Sequence, residues 1–132
     1  WYWSGVPNDW RGVTGVLFSR GSDVLSLEGT KGVPGRLSFG ARTGRSAITP
    51  RTWNHVALVR EGTRVRVYLN GAEEPELMGE TAPVATGQLY FGGAKGAHET
   101  LEGKIDEIAV FGRALTGEEI AGRVLQARQQ RF

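Results

Sequence analysis

The 132 residues suit a single domain with a sizeable core. Sixteen Lys and Arg against fourteen Asp and Glu leave a net charge of +2, scattered along the chain, which argues against nucleic-acid binding. There is no Cys, so disulfides, thiolate metal sites and thiol catalysis are excluded, and no apolar run reaches the roughly 20 residues of a membrane span.

Taken in order, the chain opens on Trp1, Tyr2 and Trp3, which read as the tail of a strand. With no Met and no secretory signal ahead of them, this is the expected start of a mature or excised piece of a longer chain. Pro7, Asn8 and Asp9 mark a loop to Gly12. Residues 13–19 are apolar and β-branched and predict a strand, followed by a turn at Gly21 and a second strand around Val24, Leu25 and Leu27. Residues 29–35, with three Gly and Pro34, predict a loop. Leu37 and Phe39 share one face of a strand over 36–41, and Ala47 and Ile48 predict a short one before Pro50.

The clearest pattern covers residues 53–71. Trp53 to Arg60 is apolar on both faces, as a strand covered on both sides would be. After a turn at Gly62, Val65, Val67 and Leu69 alternate with Arg64, Arg66 and Tyr68, so the second set is expected to face solvent. Asn70-Gly71 is a reverse-turn signal. Short strands are expected over 74–78 and 88–91, and a strong one over 104–111. Thr116 and Glu119 form a capping box, so a helix starts there, with Ile120, Val124 and Ala127 on one face and fraying from Gln129. Trp53, Phe39, Phe91 and Phe111 fall at core-like strand positions. This many short, alternating strands, with 20 Gly and 5 Pro between them, predicts an all-β, two-sheet antiparallel sandwich over residues 1–115 and a short C-terminal helix or linker over 116–132.

Three segments together resemble a known family. Trp53-Asn54-His55-Val56-Ala57 with Val67-Tyr68-Leu69-Asn70-Gly71 resembles the central hairpin of laminin-G-like and pentraxin-like domains. Gly103-Lys104-Ile105-Asp106-Glu107-Ile108 resembles their closing strand, and Arg113-Ala114-Leu115-Thr116 before Glu118-Glu119-Ile120 resembles their exit into a helix. The opening, through Pro7-Asn8-Asp9, Val13-Thr14-Gly15 and Leu17-Phe18-Ser19-Arg20-Gly21, is similar to lectin-like domains embedded in large planctomycete proteins. The resemblance implies a concanavalin A-like jelly roll and an extracellular or periplasmic location. It also implies at least one more strand ahead of the aromatic run, whose loss would leave the strand over 104–111 with an unpaired edge or an exposed apolar face.

The same fold hosts glucanases, so function must be argued from the site. A retaining glycosidase needs two carboxyl groups roughly 5 Å apart. Glu102 and Asp106, with Lys104 between them, would be separated by roughly 13 Å along a strand, and Glu107 would face away from Asp106. The expected function is therefore a non-catalytic, lectin-like module recognising carbohydrate or an extracellular protein surface within a larger protein. The alternative is a structural domain that spaces or docks its neighbours. The candidate binding residues are Asn8, Asp9, Trp10 and Arg11, with Tyr68 and Tyr90 as further ring platforms. Asp106 is read either as a structural carboxylate or as a Ca²⁺ ligand. His55 is expected to pack beside Trp53, without ligand spacing to His98. Arg64, Arg66 and Tyr68 form either a solvated face or a contact for an acidic partner.

Overall fold

The computed structural model describes residues 1–5, 13–30, 33–83, 87–93 and 101–131. Its eleven described strands run in chain order as β1 (Tyr2–Ser4), β2 (Val13–Arg20), β3 (Asp23–Thr30), β4 (Val33–Phe39), β5 (Arg42–Thr43), β6 (Trp53–Asn54), β7 (Val56–Glu61), β8 (Arg64–Leu69), β9 (Leu77–Glu80), β10 (Tyr90–Phe91) and β11 (Gly103–Ile105), before helix α1 (Gly117–Arg131). They form a five-stranded sheet, β10-β2-β3-β4-β5, and two three-stranded sheets, β11-β1-β6 and β7-β8-β9. All described pairings are antiparallel.

One core joins these sheets. Leu25, Leu27, Leu37 and Phe39 of the five-stranded sheet meet Tyr2, Val65, Val67 and Leu77 of the smaller ones. Period-2 alternation is the cause: β8 buries Val65 and Val67 completely because they share one face of the pleat. A second, smaller cluster lies on the other side of the β7–β8 hairpin, where Val59 and Tyr68 pack under Ile120 of α1. The layers are thus a sheet, a broken second sheet, and a helix laid over the latter.

The break between β6 and β7 falls at His55, and the Asn70 side chain bridges it. Its Oδ1 accepts the His55 amide at 2.8 Å, and its Nδ2 donates to Asn54 Oδ1 at 3.0 Å. Asn70 and Gly71 both have positive φ, 54° and 75°, as the Asn-Gly signal requires. The capping box forms as expected, with the Glu119 amide donating to Thr116 Oγ1 at 3.1 Å and the Thr116 amide to Glu119 Oε1 at 3.2 Å. Arg113 also grips Glu119, and that bond, followed by the one from the Thr116 backbone, holds the Glu119 carboxyl down to about 2.

Several boundaries differ from the sequence reading. Strands β3 and β4 continue through most of the segment expected to be a loop; pairing passes Pro34 next to a register irregularity between Glu28 and Thr30, a place where a strand tolerates proline. No strand forms at Ala47 and Ile48, although Ile48 is buried and its amide bonds to the Gly35 carbonyl. Strand β9 lies over Leu77–Glu80 rather than 74–78, because Pro75 cannot donate and the Glu76 carboxylate is taken up by the amide and hydroxyl of Ser46. Helix α1 runs to Arg131. The largest correction concerns the strand expected over 104–111. Only Gly103–Ile105 pairs; Glu107 has φ 51°, which turns the backbone out of the extended region, and no described strand pairs with 106–111.

Candidate functional site

The five-stranded sheet has two chemically different faces. Leu27 pairs with Leu37 and Leu25 with Phe39, which places these four on the core side. The alternate positions carry hydrogen-bonding groups: Ser26 pairs with Ser38, Ser38 with Thr43, and Glu28 with Arg36. At the far edge Tyr90 pairs with Ser19. A row of hydroxyls therefore crosses β3, β4 and β5 beside the Glu28–Arg36 positions; on β2 it meets Val16, and Tyr90 lies on a separate rung with Ser19 and Val24. Ser26 Oγ donates to Glu28 Oε1 at 3.4 Å, Arg36 donates to the Arg45 carbonyl, and the Tyr90 hydroxyl donates to Gln88 at 2.8 Å. Ser26 and Ser38 are buried, whereas Glu28 is exposed and Arg36 and Tyr90 are half-buried. The groups this face offers outward are therefore Thr43 and Glu28, with Arg36 and Tyr90 partly so.

A second feature is a groove of about 680 Å³ between the layers. Leu17 and Phe18 form one wall; Ala57 and Leu58 of β7, and Ile108 and Val110 beyond β11, form others. Ile108 is 51%, Val110 65% and Phe111 41% exposed, so apolar surface is open here. Asp23 and Arg60 close part of the groove. Arg60 donates to both Asp23 oxygens, at 2.6 and 2.9 Å among others, and also to the Thr81 hydroxyl and carbonyl. This pair links β3 of the large sheet to β7, and it leaves the Asp23 carboxylate committed to a guanidinium.

The residues singled out from sequence are only partly brought together. Asn8, Asp9, Trp10 and Arg11 lie outside the described residues. Tyr68 is not on a wet face. It is 5% exposed, because α1 covers the hairpin there and Gly117 lies against its ring, where a β-carbon would come within 3.2 Å. Tyr90 is half-buried on the edge strand β10. Phe39 and Trp53 are covered to differing degrees, but Phe91 and Phe111 are not core residues. Phe91, 40% exposed, tilts against Phe18 at 5.7 Å, and Phe111 lies under Arg123 at 4.5 Å.

His55 packs edge-on against Trp1 at 5.2 Å, since β1 sets Trp1 opposite it. Burial pushes His55 down to about 4, and nearby positive charge, including Arg128, acts in the same direction. The Asp106 amide donates to the Trp1 carbonyl at 3.0 Å, and its Oδ1 accepts the Glu107 amide at 2.8 Å. Among the described residues no three His, Asp or Glu side chains gather as a metal site would require. Sequence reasoning missed the Asp23–Arg60 clamp, which joins residues 37 positions apart, and the polar row, whose signal was the serine alternating with leucine at 25–27 and 37–39.

Comparison with known proteins agrees with the fold. A laminin-G family model described as the concanavalin A-like lectin/glucanases superfamily matches residues 7–121. Comparison with curated proteins found no match. Among solved structures, the chain is similar to the crystal structure of an S-layer domain-containing protein (residues 221–444) from Clostridium thermocellum, at 23% identity and a TM-score of 0.50, over 90% of this chain and 66% of that one. That likeness speaks to the fold.

Proposed function

The chain belongs to the concanavalin A-like lectin/glucanase superfamily as a laminin-G-type domain, and from that premise we propose that it is a non-catalytic binding module recognising carbohydrate. The observation that supports this reading is the polar face of the five-stranded sheet, where Thr43 and Glu28 are exposed and Arg36 half-buried, with Tyr90 at the edge. Sugar hydroxyls need donors and acceptors at fixed spacing, and an apolar pyranose face needs a ring; a sheet supplies both without moving. Asn8, Asp9, Trp10 and Arg11, which lie outside the described residues, are proposed as further binding groups, with Trp10 as a second ring.

Catalysis is not part of the proposal. Asp23 is held by Arg60, Asp106 accepts from the backbone and Glu28 accepts from Ser26, arrangements that support a non-catalytic reading. The family and the S-layer-domain neighbour support an extracellular setting within a longer protein. Among the described residues no helix is long and apolar enough to cross a membrane.

Affinity electrophoresis through a panel of soluble polysaccharides, with and without Ca²⁺, tests the reading. Retardation by at least one polysaccharide is expected, weakened tenfold or more by Arg36→Ala or Tyr90→Ala. Migration unchanged in every gel would leave the domain as a spacer or docking element for its neighbours. Retardation that vanishes on chelation would support a calcium role for Asp106.

A further inference from the structure

The three-stranded sheet β11-β1-β6 turns Tyr2 and Ile105 towards the main core. The neighbouring positions therefore face out of the sandwich, on the side opposite the polar face of the five-stranded sheet. They form one rung, in which Trp3 pairs with Lys104 on one side and with Trp53 on the other. Trp3 and Trp53 are half-buried and Lys104 is exposed. The Lys104 ammonium lies over the Trp3 ring, 4.9 Å from its centre. Gly5 leaves room for the indole: a β-carbon there would come within 3.2 Å of Trp3 Cζ3. The Arg51 amide donates to the Ser4 carbonyl at 2.8 Å, and the Gly5 amide to the Glu102 carbonyl at 2.7 Å. Exposed Arg51 and Glu102 thus stand at the two margins of this end of β1, and with Lys104 the rim carries two cations to one carboxylate.

We propose that this rung is a second glycan contact, for a hexuronate unit of an acidic polysaccharide, with the sugar ring laid on the Trp3 indole and its carboxylate on Lys104. An indole offers a flat apolar surface of the kind a pyranose covers with its C–H groups. The ammonium decides the class of sugar. It already sits over the ring in a cation–π contact, and a neutral sugar entering there displaces it without offering a replacement. A carboxylate on the sugar takes the ammonium into a charge-assisted hydrogen bond instead, and Arg51 adds attraction from the margin. The ladder holds the arrangement ready: β1 is paired on both sides, so Trp3 and Lys104 project from a fixed floor. The polar face of the five-stranded sheet takes no part, so the two contacts succeed or fail separately.

Isothermal titration with a short galacturonate oligomer, its methyl ester and dextran sulfate tests the proposal. Saturable binding of the galacturonate oligomer is expected, and none of the ester, whose carboxylates are masked. Lys104→Gln and Trp3→Thr are each expected to weaken binding by about tenfold or more, and Lys104→Arg, which keeps the charge, to retain most of it. Threonine keeps a strand former in β1, and the exposed Lys104→Gln change reads the contact even where the Trp3 variant fails to fold. In NMR spectra the indole N–H signal that is missing from Trp3→Thr is expected to shift when the oligomer is added. No binding, binding that Lys104→Gln leaves unchanged, or dextran sulfate bound as tightly would overturn the proposal. Binding lost with Arg36→Ala but kept with Lys104→Gln would move the acidic sugar to the polar face, which overturns this inference and leaves the carbohydrate reading in place.

Discussion

Replacing Arg60 with methionine keeps the apolar stem and removes the guanidinium that joins the two layers. Arg60 contacts Asp23 through Nε at 2.9 Å and through Nη2 at 2.6 and 2.7 Å, and it also bonds to Thr81 and the Gly62 carbonyl. The Asp23 side chain is 7% exposed, so Arg60→Met leaves a carboxylate stranded out of water. Breaking a buried pair from one side costs about 3–5 kcal/mol, about a fifth or more of the stability of an ordinary domain. Asp23→Asn leaves the guanidinium its bonds to Thr81 and Gly62 and is expected to cost about 1–3 kcal/mol. In the double variant the stranded charge is gone, so the two costs should not add; a coupling of about 2 kcal/mol is expected. Urea titration of the four proteins, monitored by tryptophan fluorescence, gives the cycle directly. Costs that add, or an Arg60→Met protein as stable as the parent, would show that the pair does not hold the sheets together.

Further outcomes follow from the same packing. Because burial holds His55 below its ordinary value of 6.5, down to about 4 in the folded chain, the stability tied to its neutral ring is complete above pH 6.5 and is lost as pH falls towards 4. The loss is about 2–3 kcal/mol at most, since the ring is not fully buried, and it should be absent from the pH dependence of His55→Asn in urea titrations at pH 7, 5.5 and 4. Tyr68→Ala should cost about 3–4 kcal/mol and Tyr90→Ala about 1 kcal/mol or less, measured by thermal unfolding. Gly71→Ala should be worse than Gly62→Ala. Both have positive φ, but a β-carbon at Gly71 comes within 3.1 Å of Val124, whereas Gly62 has open space around it. Thr116→Ala, which removes the acceptor for the Glu119 amide, should lower stability by about 1 kcal/mol and helix content with it.

The hairpin, the Asn70-Gly71 turn and the capping box were legible because each is local: alternation, positive φ and a three-residue spacing are written in neighbouring residues. The sandwich followed from them together with the turn spacing. What could not be read depends on which element lies on which. Alternation sets Tyr68 opposite Val67, but nothing local says that α1 covers that side. Residues 104–111 have strand-like composition, yet a strand persists only where a neighbour pairs with it, and pairing ends at Trp1 and Asp106. The polar row was missed because serine between leucines reads as an ordinary wet strand face; only the register of β3, β4 and β5 aligns Ser26, Ser38 and Thr43 across three strands.

The most direct test of a surface that binds sugar without cleaving it mixes the domain with each polysaccharide that retards it and follows both the complex and new reducing ends over a day. The account predicts a saturable complex and a reducing-end count equal to the protein-free control. Reducing ends that accumulate with the parent chain and stop on replacing Glu28 would contradict it.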